Sequence, residues 1–130
     1  MAMDFTLADF AIPVINDRAA SFIPSSERQL LELKVGKLPN FNVLILSNEV
    51  DCLDESKSDF TKFDENSSRP NLAGHYRDIY TAVLDKGKCA GYSIFRIKGF
   101  IPYIIVSEII RDAFIANHIR GVTFQEFEVV

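Results

Sequence analysis

Five consecutive residues, Gly74-His75-Tyr76-Arg77-Asp78, put an imidazole, a phenol, a guanidinium and a carboxylate into one short stretch. Folded into a cleft, such a set could carry general acid-base chemistry, because an imidazole titrates near neutrality and a nearby carboxylate can orient it. The same residue types are also the ordinary content of turns and surface ion pairs. Asp51, Asp54 and Asp59 offer oxygen ligands for a hard cation, but they lack the Asp-x-Asp-x-Asp-Gly loop closed by a glutamate. The two histidines, His75 and His118, lie far apart and form no His-x-x-x-His pair. Cys52 and Cys89 belong to no Cys-x-x-Cys motif, and no glycine-rich loop is spaced to cradle phosphate. Ser107 has no glycine-flanked elbow to expose it as a nucleophile, so its oxygen is expected to cap a helix. These spacings assign no catalytic residue, no metal ligand and no cofactor.

The elements that would position such groups are clearest at the end of the chain. Ile104, Ile105 and Val106 are β-branched and favour a strand, and Ser107 followed by Glu108 is a helix start whose acid complements the dipole. At roughly 100° per residue, Ile109, Ile110, Ala113, Phe114 and Ala116 fall on one stripe, which predicts the buried face. Gly121 is expected to supply the left-handed exit, and Val122 onward reads as a second strand. A fainter version of this unit precedes it. Ile12 to Ile15, the cap Asn16, the acid Asp17, a helical stretch to Ile23 and the alternating strand Leu31 to Val35 follow the same order, displaced by 91 residues.

Between the two copies, Phe41 to Ser47 reads as a buried strand, as does Ile79 to Asp85. Asp85-Lys-Gly-Lys88 and Lys98-Gly99-Phe100 read as turns, so Ile79 to Val106 is predicted to be a meander of three antiparallel strands. The fold class is α+β: a mainly antiparallel sheet with a few helices and two quasi-repeated helix-strand units.

With 130 residues, 48% hydrophobic and 25% charged, the chain is expected to fold as one domain, 1–130, without disulfide staples. Its start has neither a basic stretch nor a long apolar run, and no segment reaches about 18 uncharged apolar residues, so export and membrane spanning are not expected. A cytoplasmic location with reduced cysteines follows from that reading. Nucleic-acid binding is disfavoured by a sequence pI near 5.1. The bases Arg18, Arg28, Lys37, Arg77, Arg96 and Arg120 are spread singly rather than gathered into a stripe.

Charge is concentrated in one place. Residues 48–70 hold Glu49, Asp51, Asp54, Glu55, Asp59, Asp64 and Glu65 against Lys57, Lys62 and Arg69, a surplus equal to the whole chain's net charge of −4. An acidic surface of this kind can steer a basic partner. Its serines and asparagines, with Pro70, are equally consistent with a solvated connection.

Several segments resemble one known family. Ile105-Val-Ser-Glu-Ile-Ile-Arg-Asp-Ala-Phe114 followed by Gly121-Val-Thr-Phe124 is similar to the closing signature of family eleven of the bacterial polymorphic-toxin immunity proteins. Pro13 to Ala19, Val50 to Ser58 and Ala90 to Arg96 resemble further pieces of that family in the same order, so the likeness spans about residues 12 to 130. Asn16 stands where the family's first helix usually begins with Ser, and either residue caps well. The resemblance implies a small, non-enzymatic cytoplasmic protein that binds and neutralises a cognate toxin, and it brings no catalytic residues. The seven acids are then the expected partner-binding residues. Ile115, on the polar side of the last helix, is a second candidate. Two other readings remain: a small enzyme centred on His75, Tyr76 and Asp78, marked by a pocket at His75, and a homo-oligomer or regulatory module whose strand edges pair between copies.

Overall fold

The computed structural model describes residues 5–8, 12–35, 38–66 and 68–130. Lys37 and Ser67, used above for charge distribution and loop composition, lie outside the described residues. The chain forms two compact units, each assembled from separated stretches. The first comprises the stretch ending at Asn48, Tyr92–Phe95 and Ile105–Phe124; the second comprises Glu49–Gly91, Arg96–Ile104 and Gln125–Val130. The class is α+β, as expected.

In the first unit, strands β1 (Phe5–Ala8), β2 (Ile12–Asn16), β3 (Arg28–Val35) and β4 (Leu38–Leu46) form one antiparallel sheet in the order β1-β2-β4-β3. Helix α1 (Asp17–Ala20) begins where Asn16 leaves β2, and the Asn16 side chain accepts a hydrogen bond from the Ala19 amide at 2.9 Å. It is only one turn long, shorter than the stretch to Ile23 expected from sequence. Its buried Ala19 and Ala20 join Ile15, Ile23 and Leu44 in the core. Asn42 is buried in the same sheet, and its amide donates to Asp17 Oδ1 at 2.8 Å, so this buried polar group has a charged acceptor.

The longest helix, α3 (Glu108–Ala116), belongs to this unit and corrects three expectations. Ile110 and Phe114 are its buried residues, whereas Ile109, assigned above to the core stripe, is 81% exposed. The core side is set by Phe114, whose ring meets Phe22 and Phe124 edge-on at centroid distances of 6.2 and 6.3 Å. Residue 109 lies about 140° from residue 114 around a helix, so centring the face on Phe114 turns Ile109 outward.

The second correction concerns the cap. Ser107 occupies the N-cap position, but its side chain makes no capping bond, and its Oγ is buried without a hydrogen-bond partner. The amide of Ser107 donates instead to the Ser93 carbonyl at 2.8 Å. Ser107→Ala is therefore expected to change stability by less than about 0.5 kcal/mol, while Asn16→Ala costs about 1 kcal/mol. Denaturant midpoints of the two variants check this.

The third correction is the helix exit. His118 adopts the left-handed conformation directly after the Asn117 cap, with φ of 53°, and Gly121, at φ of 90°, turns the chain only further on. The His118 amide donates to the Ile115 carbonyl and the Ile119 amide to the Phe114 carbonyl, at 3.2 and 3.0 Å. That pair of bonds is a Schellman stop. A non-glycine residue there carries a steric penalty, so His118→Gly is expected to raise stability by about 1 kcal/mol, read as a higher thermal midpoint.

The second unit contains β5 (Glu49–Val50), β6 (Asp59–Lys62), β7 (Tyr76–Thr81), β8 (Val83–Leu84) and β11 (Glu128–Val129), with the short helix α2 (Lys86–Cys89) capped by Asp85. Strand β5 pairs in parallel with β9 (Ile94–Ile97) through Glu49↔Arg96 and Val50↔Ile97, and β10 (Phe100–Val106) lies on the other side of β9. The turn between β9 and β10 is the predicted one. Gly99 holds φ of +79° there, and the Tyr76 amide donates to its carbonyl at 3.1 Å.

The predicted three-stranded meander is not formed. Strand β7 pairs with β6, and β8 pairs in parallel with β11, so only β9 and β10 are neighbours. The hydrophobic pattern located the strands, but pairing depends on which edges meet in space. The repeat holds in part. A strand runs directly into a helix twice, at β2-α1 and β10-α3, but only the first helix is capped by a side chain and followed by a long strand. Residues 122–127 are irregular, and β11 has two residues.

Candidate functional site

The acidic segment is folded rather than a solvated connection. Val50, Cys52 and Leu53 are buried in the second unit, and the acids lie on the turns and strands beside and after these anchors. Asp54 accepts from the amide and hydroxyl of Ser56 at 3.1 and 2.6 Å. These bonds, the hydroxyl's above all, hold its carboxyl below the usual range, so its charge serves the local turn. Asp64 likewise accepts from the Asn66 amide at 2.9 Å. Glu49 faces Arg96 across the parallel pair; burial lowers the Arg96 pKa and Glu49 opposes that shift.

Glu55 is the most engaged of the acids. One carboxylate oxygen accepts from Lys62 Nζ at 2.8 Å and from the Tyr76 hydroxyl at 2.6 Å, and both bonds, Lys62 foremost, lower its pKa. Lys62 sits 5.1 Å from the centroid of the Tyr76 ring and 5.8 Å from that of Phe60, whose rings meet edge-on. Burial, reinforced by Glu55, pushes the Tyr76 pKa far up, which keeps it a phenol at neutral pH. Phe60 and Tyr76 thus act as local hydrophobic anchors of the segment. Sequence reasoning missed Lys62 as their partner, although Phe60 and Lys62 share one face of a strand by its period of two.

Asp51, Asp59 and Glu65 are the remaining acids, all exposed. Ile115, 59% exposed, lies in the first unit, on an outer helix surface that also carries Ile109. The structure therefore groups all seven acids in one unit and places Ile115 in the other.

The His75 cluster does not converge. The two strands pair Lys62↔Tyr76, Thr61↔Asp78, Phe60↔Ile79 and Asp59↔Thr81, which leaves Arg77 and Tyr80 as extra residues of two bulges on β7. Tyr76 and Ile79 consequently point inward, while Arg77, Asp78 and Tyr80 are exposed. His75 is exposed as well, packed beside Gly99. A cavity does lie nearby, bounded by Phe63, Ser68, Arg69 and Arg77. Its lining contains neither His75 nor Tyr76. Sequence reading missed it because it depends on the Arg77 bulge.

Cys52 and Cys89 are both free thiols. Burial is the main cause that raises both pKa values, that of Cys52 up to about 12. At neutral pH both are protonated and weakly nucleophilic. Among the described residues no group of three or more His, Cys, Asp or Glu is placed to hold a metal ion.

The scaffold just described, from within β3 to the end of β11, coincides with a known family: the model of the Imm11 immunity protein family matches residues 30–129. The chain belongs to the Imm11 immunity protein family. No curated protein and no solved structure matches it. The Imm11 match takes in the whole acidic segment, the arginine-lined cavity and helix α3, but not β2 and α1. Membership points to an immunity function. No helix among the described residues of this Imm11 chain is long and apolar enough to cross a membrane.

Proposed function

We propose that this chain is a non-catalytic immunity protein that binds a cognate polymorphic toxin in the bacterial cytoplasm and blocks it. The observation that carries this reading is the Imm11 match over residues 30–129. The contact surface we assign is the acidic segment, with Asp51, Asp59 and Glu65 as its main contributors. They are exposed, whereas Asp54, Glu55 and Asp64 are already hydrogen-bonded within the chain and Glu49 faces Arg96. A basic cleft, such as that of a nuclease, is the complementary surface. Ile115, with its neighbour Ile109, is a second candidate contact, since exposed isoleucines can anchor an interface.

The test uses the product of the adjacent gene. The two proteins are expected to co-purify as a complex whose mass by light scattering is the sum of its chains. Adding this chain is expected to abolish the toxin's activity in stoichiometric proportion. If toxin is consumed catalytically, with one molecule of this chain inactivating many, the non-enzymatic reading is wrong. A complex that forms without inhibition would also reject it.

A further inference from the structure

The cavity at Phe63, Ser68, Arg69 and Arg77 has no role in toxin capture as proposed above. Its volume is about 400 Å³, within the range of small-molecule sites. Arg77 reaches it as the extra residue of a β-bulge, a device that re-aims a side chain off the regular pleat. Arg69 arrives from the loop that joins β6 to β7. That loop is closed at its base by Phe63 N–H to His75 O and Gly74 N–H to Phe63 O, both 3.0 Å, and tightened by Leu72 N–H to Arg69 O at 2.9 Å. The two cations are therefore presented by a closed loop and a paired strand.

Arg77 is only loosely engaged by its charged neighbour. Arg77 Nε lies 3.9 Å from Asp78 Oδ2, and the Arg77 and Asp78 side chains are 67% and 52% exposed, so this pair is loose and solvent-screened. Asp64 and Glu65 are the acids of the loop itself; Asp64 is turned toward the Asn66 amide. Guanidinium groups match the oxygens of phosphate in a fork geometry, and the Ser68 hydroxyl adds a donor. Phe63 contributes an aromatic wall. Two planar cations, a hydroxyl and a ring around one cavity suit a ligand with an anionic end and a planar or apolar body.

We propose that this cavity binds an organic phosphate of about mononucleotide size, its phosphate held by Arg69, Arg77 and Ser68 and its body resting on Phe63. The site needs no glycine loop, because side chains rather than backbone amides receive the anion.

The experiment titrates the full chain with adenosine monophosphate, adenosine and inorganic phosphate at low ionic strength, followed by amide chemical shifts and calorimetry. Saturable binding of the nucleotide is expected, with shifts concentrated at residues 68, 69 and 77. Arg77→Gln is expected to weaken it by at least about tenfold, the loss of a charge-assisted hydrogen bond. Inorganic phosphate should bind more weakly and adenosine not measurably. The exposed position of Arg77 allows the variant to fold, which an unchanged circular dichroism spectrum verifies. No saturable binding below about 5 mM, or equal binding by Arg77→Gln, overturns the proposal. Adenosine binding as well as the nucleotide removes the phosphate assignment, and inorganic phosphate binding as well as the nucleotide removes the role of Phe63. None of these outcomes depends on whether the chain binds a toxin.

Discussion

Replacing Asp51, Asp59 and Glu65 together by lysine is expected to slow association with the cognate toxin by on the order of tenfold at low salt, and to flatten the salt dependence of the rate. The choice of three follows from where the other acids spend their charge. Glu55 is bound by Lys62 and Tyr76, Asp54 by Ser56 and Asp64 by the Asn66 amide, and Glu49 faces Arg96. Reversing those would disturb turns and confound the measurement. Asp51, Asp59 and Glu65 are exposed, so their replacement leaves the core intact. Screening shortens the reach of exposed charges to about 8 Å at physiological ionic strength, so the wild-type rate should fall steeply as salt is added. Stopped-flow mixing across a salt series reads both quantities. A variant that keeps the wild-type salt dependence would remove the acidic segment as the contact surface.

The largest effect on stability is expected from Ile110→Ala, at about 2–5 kcal/mol, while its neighbour Ile109→Ala changes stability by less than about 0.5 kcal/mol. Ile110 is 1% exposed in the core of the first unit. Removing its side chain beyond Cβ leaves a cavity beneath α3, next to the Phe114 ring that Phe22 and Phe124 hold in place. Ile109 loses only solvent contact. Urea unfolding of the two variants, with unchanged m-values, gives the comparison directly. The pair is discriminating because hydrophobicity and helical position assign both residues to the same buried stripe, and only the packing separates them. If Ile109 also anchors the toxin, its alanine variant should weaken the complex without altering the free protein's stability.

The elements themselves were legible. A hydrophobic run located β4 and a β-branched run located β10, Asn16 located the start of α1, and Gly99 located the turn between β9 and β10. These features rest on backbone preferences that act over a few residues, so a local pattern suffices. Ser107 marked the start of α3 correctly yet does not cap it, because its amide is held by Ser93 and its hydroxyl is buried. His118 took the left-handed position that Gly121 suggested, because the helix ends at Ala116. In both cases the sequence signal identified a boundary, and neighbouring packing chose the atom that makes it.

The candidate site was legible in part. The surplus of carboxylates in residues 48–70 is a property of composition, and no fold could hide it. Which of those carboxylates still present their charge outward depends on partners distant in the chain, 21 positions away for Glu55 and Tyr76 and further still for Glu49 and Arg96. The arginine cavity was not legible at all, since Arg77 lines it only where the register of β6 and β7 slips by one residue.

By itself, then, the sequence determined the α+β class, the family and the sign of the charge in its central segment. The class and the charge are written in local propensity and composition, and the family in the likeness of short motifs, all of which survive without knowledge of the chain's path. Tertiary structure alone decided the strand partners, the face α3 buries, the acids already engaged and the placing of Arg69 and Arg77 around one cavity. These depend on contacts between residues distant in the chain, and strand edges and helix faces with similar local patterns are told apart only by what packs against them.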